Sequence, residues 1–95
     1  MFITLERPDI VTGYSQDKNS QLLHTVAQKP VTINTDAIVS LVEVFDASDN
    51  FIGTQINMLS SLYYRVKPTA NEILNMITVA KINEDVLKYQ GGRIQ

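Results

Sequence analysis

Residues able to do chemistry are few in this chain, and their spacing does not bring them into a reactive set. The single histidine, His24, has no cysteine to activate, and no serine sits in a Gly-x-Ser-x-Gly elbow, so nucleophilic catalysis has no carrier. A histidine exposed on one side of a strand or loop is the simpler role. Asp46, Ser48, Asp49 and Asn50 look like a cation loop in composition, but they lack the Asp-x-Asp-x-Asp-Gly order and the distal Glu of a calcium site. Turn formation accounts for them without an ion. The four glycines, Gly13, Gly53, Gly91 and Gly92, are scattered and make no phosphate-cradling loop. Glu84-Asp85 suits the dipole at a helix start better than acid–base work. These residues give no catalytic group, no metal ligand and no cofactor site, and the chain reads as non-enzymatic.

One constellation points to binding. Tyr63, Arg65 and Lys67 alternate along a strand, so an aromatic ring and two cations share a face that can stack on bases and meet phosphates. Against this, eight Lys and Arg stand beside ten Asp and Glu, and a net charge of −2 leaves no basic footprint. A solvated outer face explains the three residues more simply, and a nucleic-acid-binding regulator is the alternative rather than the main reading.

Composition bounds the remaining choices. Ninety-five residues make one domain with one core, and 44% apolar residues argue against wholesale disorder. Asn, Gln, Ser and Thr outnumber the charged residues, which gives a hydrogen-bonding surface that resists association weakly. The absence of cysteine excludes disulfides and thiolate metal sites and fits a reducing compartment. No apolar run approaches the roughly 18 residues of a membrane span. The N-terminus has no basic region followed by an apolar core. Synthesis in the cytoplasm, with no membrane partner, is the expectation.

The elements that must position any site follow from alternation and punctuation. Phe2 to Glu6 alternates as a short strand with Ile3 and Leu5 on one face, and Arg7-Pro8 stops it. Asp9 to Ser20 turns polar and offers only Ile10, Val11 and Tyr14 for burial. A loop of that length is either functional or a tolerated surface insertion. In Gln21 to Gln28, Leu22, Leu23 and Val26 would make one side of two helical turns, yet Thr25 and Val26 suit a strand equally. A strand is the preferred reading because Lys29-Pro30 follows at once and Val31 to Asn34 alternates cleanly.

Ile38 to Phe45 is apolar on both sides, with Ile38, Val42 and Val44 facing one way and Val39, Leu41 and Phe45 the other. That is the pattern of a central, doubly covered strand. After a hairpin loop at 46–50, Ile52, Thr54, Ile56 and Met58 face inward, opposite Gln55 and Asn57. Leu62, Tyr64 and Val66 do the same opposite Tyr63, Arg65 and Lys67. Pro68-Thr69 then opens a helix in which Thr69 and Glu72 form a capping box. Ile73, Met76, Ile77 and Ala80 make its sheet-facing stripe, with Leu74 at the margin.

If this helix runs unbroken to Gln90, Leu87 joins that stripe, while Val79, Ile82, Val86 and Tyr89 make a second one that no single sheet can cover. Either the helix breaks at Asn83 and the tail folds back, or the second stripe meets another protein. Gly91-Gly92 is expected to end the helix.

The fold class is therefore α+β: a small antiparallel sheet of three main strands plus N-terminal strands, covered by one C-terminal helix. The chain divides into an N-terminal strand and arm (1–30), a β-β-β-α core (31–81) and a tail or helix extension (82–95). Over residues 31–78 it resembles the small flagellar and swarming-motility proteins of the FlbD/SwrD type. The landmarks are Asn34-Thr35-Asp36-Ala37-Ile38, Thr54-Gln55-Ile56, Tyr63-Tyr64-Arg65-Val66 and Thr69-Ala70-Asn71-Glu72-Ile73. The long stretch before Val31, Ser60-Ser61 at a turn and Lys67-Pro68 depart from that pattern. The resemblance implies a β-β-β-α core, while a motility adaptor role does not follow from architecture alone.

A polar arm, a two-sided apolar tail and the lack of catalytic groups together point to a structural subunit that docks on a larger protein assembly or on itself. A bacteriophage virion component, a head auxiliary or connector protein located in the virion, is the specific form expected. Ile10, Val11 and Tyr14 in the arm and Val79, Ile82, Val86 and Tyr89 in the tail are the expected interface residues.

Overall fold

Pro8 and Pro30 shape the first third of the molecule. The computed structural model describes the backbone of residues 1–17 and 20–93 and the side chains of residues 1–16 and 21–87. In it, β1 (Phe2–Leu5) pairs antiparallel with β4 (Val31–Asn34), and β2 (Ile10–Asp17) pairs with β3 (Ser20–Val26). Phe2 faces Asn34 and Leu5 faces Val31; after four unpaired residues on each side, Ile10 faces Val26 in the same register. The two ladders are thus the root and tip of one long β-ribbon.

Each interruption contains a proline, which has no N–H to give a ladder. Side chains span the gap instead: Arg7 Nε donates to the Lys29 carbonyl at 2.7 Å, and Gln28 Nε2 donates to the Pro8 carbonyl at 2.8 Å. Within the expected loop at 9–20, residues 10–17 are therefore a strand. A β-bulge at Thr12, whose hydroxyl donates to the His24 carbonyl, breaks the alternation that would have announced it.

A single 3₁₀ turn (Thr35–Ala37), capped by Asn34 Oδ1 accepting from the Asp36 N–H, leads into a second sheet. Its order is β5 (Ile38–Phe45), β6 (Phe51–Met58), β7 (Tyr63–Val66), all antiparallel. The doubly covered central strand expected at 38–45 is instead an edge strand, and a bulge at Val39 resets its faces. Ile38 and Leu41 both pack on the core, while Val39, Val42 and Phe45 are exposed. Ile52 occupies a second bulge and is exposed rather than inward, and Leu62 lies outside β7 and is also exposed. Thr54, Ile56 and Val66 are fully buried as expected, and Met58 and Tyr64 pack beside them.

The helix α1 (Ala70–Arg93) starts where the capping box puts it. The Glu72 N–H donates to Thr69 Oγ1 at 3.2 Å, and the Thr69 N–H reaches Glu72 Oε1 at 3.4 Å. The helix does not break at Asn83 and continues through Gly91-Gly92. Mid-helix glycine costs about 1 kcal/mol relative to alanine without forbidding the conformation. Ile73, Ile77 and Ala80 lie on the core; Leu74 and Leu87 are exposed, and Met76 sits at the margin.

Two sheets and one helix meet on Ile3, Leu5, Ile33, Ile56, Val66 and Ile73. Ile3 and Leu5 bring the N-terminal strand into this core. Thr54 is the buried polar side chain among them, and its hydroxyl donates to the Pro68 carbonyl at 2.7 Å, fixing β6 to the start of α1. The protein is α+β, with its helix packed on small antiparallel sheets.

Candidate protein interface

The ribbon tip is built from residues that bury apolar area elsewhere in proteins, yet here each stays about half exposed. Residues directly opposite in an antiparallel pair share a face. Val11, Tyr14 and Leu23 therefore lie on one face of the tip, and Ile10, Leu22 and Val26 on the other. All six are exposed, Tyr14 at 64% and Leu23 at 56%. From Ile10 to Gln16 and from Gln21 to Val26 there is no Asp, Glu, Lys or Arg. A lone two-stranded hairpin is marginal in water, so a tip that is apolar on both faces gains its stability when something covers it. Of the arm residues expected at an interface, Val11 and Tyr14 come together and Ile10 is turned to the opposite face. Leu22, Leu23 and Val26 complete the two patches.

At the other end, α1 continues past the sheet. Val79, Ile82 and Val86 stay exposed on its side, as the two-stripe pattern requires, and Tyr89 lies outside the residues whose side chains are described. The arm and helix patches are not brought together. The helix begins beside the root of the ribbon, near Glu6 and Lys67, and runs antiparallel to β1, so that Asn83 lies near Ile3. Ribbon tip and helix end thus leave the body in opposite directions, and the molecule measures 72 × 24 × 22 Å.

A groove follows β1 along α1. One stretch, about 310 Å³, lies between Thr4, Glu6, Lys67 and Glu72. The next, about 450 Å³, has Ile3, Met76, Val79 and Ala80 as its floor and Thr4, Asn75 and Asn83 as its rim. Among the described residues no charged side chain lines this second stretch. Ile3 and Thr4 point to opposite faces of β1 yet both line the groove, so it opens along the strand edge. That edge is unpaired. The Met1 carbonyl accepts from the Thr35 N–H, and antiparallel bonding alternates, so Ile3 and Leu5 bond to β4 while Phe2 and Thr4 turn their peptide groups outward. Glu6, next in that outward series, gives its carbonyl to the Lys67 N–H; Phe2 and Thr4 have no such partner among the described residues.

The outer face of the second sheet carries a bonded row of polar side chains beside exposed Val42. Gln55 Nε2 donates to Asn57 Oδ1, and Asn57 Nδ2 donates to Ser40 Oγ, both at 2.9 Å. Tyr63 and Arg65 lie opposite Asn57 and Gln55, and the Arg65 stem crosses Gly53, whose φ of +145° and lack of Cβ leave room for it. Lys67 follows the end of β7, and its ammonium sits 4.0 Å from the Glu6 carboxylate. The three residues of the nucleic-acid alternative are all exposed, and Lys67 has an acidic neighbour in Glu6.

At the 46–50 loop, Asp46 Oδ1 accepts from the Ser48 and Asn50 N–H groups at 2.8 and 2.9 Å, the arrangement of a turn. His24 stands exposed on the tip. Among the described residues no helix is long and apolar enough to cross a membrane. Compared with protein families, curated proteins and solved structures, the chain finds no match in any of the three.

Proposed function

We propose that this protein is a non-enzymatic assembly subunit: a small body that docks into a larger protein complex through its ribbon tip and its projecting helix. The observation that carries this reading is the tip, with apolar residues on both faces and no core of its own. Exposed apolar patches of that kind mark interaction surfaces. The overall dimensions support it, since a radius of gyration of 18.2 Å compares with roughly 12 Å for a compact chain of this length. A bacteriophage virion component, a head auxiliary or connector subunit, is the specific assembly we favour, because a compact body with a projecting arm suits subunits that interlock in a shell or ring.

The test is light scattering after size-exclusion chromatography, combined with hydrogen exchange on the purified full chain. An assembly subunit is expected to self-associate, or to remain monomeric with β2–β3 amides exchanging far faster than those of β6. A monodisperse monomer whose tip amides are as protected as β6 would sink the proposal.

A further inference from the structure

We infer that the groove along β1 takes the ribbon tip of a second copy of this chain, so that subunits join head to tail. The inference rests on the assembly reading above and names its partner. It starts from complementarity. The groove floor of Ile3, Met76, Val79 and Ala80 is apolar and uncharged, with an amide and hydroxyl rim. The tip face of Val11, Tyr14 and Leu23 is apolar and uncharged, and it is flanked by Gln16 and Gln21. Along the groove, Phe2 and Thr4 present unpaired peptide groups, the template on which an added strand forms its ladder. The outer edges of β2 and β3 are likewise unpaired.

One chain cannot satisfy itself. The groove lies along β1, and the tip continues away from it past the proline gap, which the Arg7 and Gln28 side chains hold at its two ends. The tip must therefore fill the groove of another molecule.

Area sets the scale. The accessible surface is 7271 Å², whereas a folded monomer of this mass exposes roughly 5,500 Å². The excess, on the order of 1,800 Å², is shared between the ribbon tip and the projecting helix. In a head-to-tail assembly each subunit contributes one tip and one groove, so its burial equals one whole interface. Specific interfaces bury about 1,200–2,000 Å². Tip and groove are different surfaces, so the contact either repeats head to tail into a ring or filament or is made twice about a two-fold axis in a reciprocal dimer.

The experiment uses two full-length variants altered only at exposed positions: Leu23→Asp in the tip and Val79→Asp in the groove. Circular dichroism and thermal melting check that each keeps the fold. Sedimentation velocity over a concentration series is expected to show the wild-type chain as a dimer or larger oligomers, and each variant alone as a monomer. An equimolar mixture is expected to form a dimer and nothing larger, since only one intact tip and one intact groove remain to meet. Should the wild type associate while the mixture stays monomeric, or each variant alone still form oligomers, the tip-in-groove contact is wrong. A monomeric wild type with fast-exchanging tip amides overturns a second copy as occupant and leaves the assembly reading in place with a different partner. A monomeric wild type with protected tip amides removes both.

Discussion

Leu5 and Leu23 are the same residue type at the root and tip of one ribbon, and their environments separate what folds the body from what the ribbon offers outward. Leu5 is 1% exposed, at the centre of the core. Truncation to alanine there removes buried methyls and leaves a cavity, for an expected loss of about 2–5 kcal/mol in urea unfolding. Leu23→Ala in the monomeric state is expected to change stability by less than about 0.5 kcal/mol, because the side chain packs against no core. Equal losses at the two sites would mean that the tip folds against the body. Asp46 gives a pH-dependent counterpart. The N–H groups of Asn50 and Ser48 hold its carboxyl below its ordinary value of 3.8. A folded-state pKa below the unfolded one stabilises the loop fully above that ordinary value, and the contribution is lost as pH falls through the lowered one. The Ser48 and Asn50 amide resonances are therefore expected to hold steady from neutral pH down to about 5 and to move only below about 4. In Asp46→Asn this acid transition is expected to vanish. A transition near neutrality would contradict the assignment.

At the scale of elements, α1 is set by its first turn and by one stripe of contacts that ends at Ala80. Thr69→Ala removes the hydroxyl that accepts from Glu72 N–H, an expected cost of about 1 kcal/mol. The loss should appear as a lower urea midpoint with an unchanged slope. These elements differ in how plainly the sequence announces them. Alternation in β1, β4, β6 and β7 and the capping box are local signals, readable from the chain by itself. β5 misled because one bulged residue, Val39, moves Ile38 and Leu41 onto the same side, and nothing in the residue types marks a bulge. Of the ribbon tip, β3 is legible at Gln21 to Gln28 while β2 is not, for two reasons: Thr12 breaks its alternation, and alternation marks a strand that buries one face, whereas both faces of this one stay exposed. Ile10, Val11 and Tyr14 stood out as apolar residues in a polar stretch. Their partners Leu22, Leu23 and Val26 depend on register, which is not a local property. The groove could not be read at all, since Ile3 and Val79 meet only through the packing of opposite ends of the chain.

For the whole molecule, shape is the most direct observable. A Leu23→Asp monomer is expected to scatter X-rays with a radius of gyration near 18.2 Å, well above the roughly 12 Å of a compact fold. Adding Arg7→Ala and Gln28→Ala removes the two side-chain bonds across the proline gaps. The tip should then sample many directions, which smears the distance distribution at its long end and leaves the melting temperature of the body nearly unchanged. A fall to the compact value would show the tip folding back on its own chain.

The matched gaps at 6–9 and 27–30 also limit how this ribbon can change in length. A residue inserted on one side alone forces a choice: the tip ladder slips by one and exchanges the side chains on its two faces, or it keeps its pairing and tilts about the longer side. Either outcome alters what the tip presents. Insertions made in step on both strands escape this, because they lengthen the reach while keeping the register. Chains descended from this one should therefore carry length changes in this region as opposed pairs, with a proline remaining on each side.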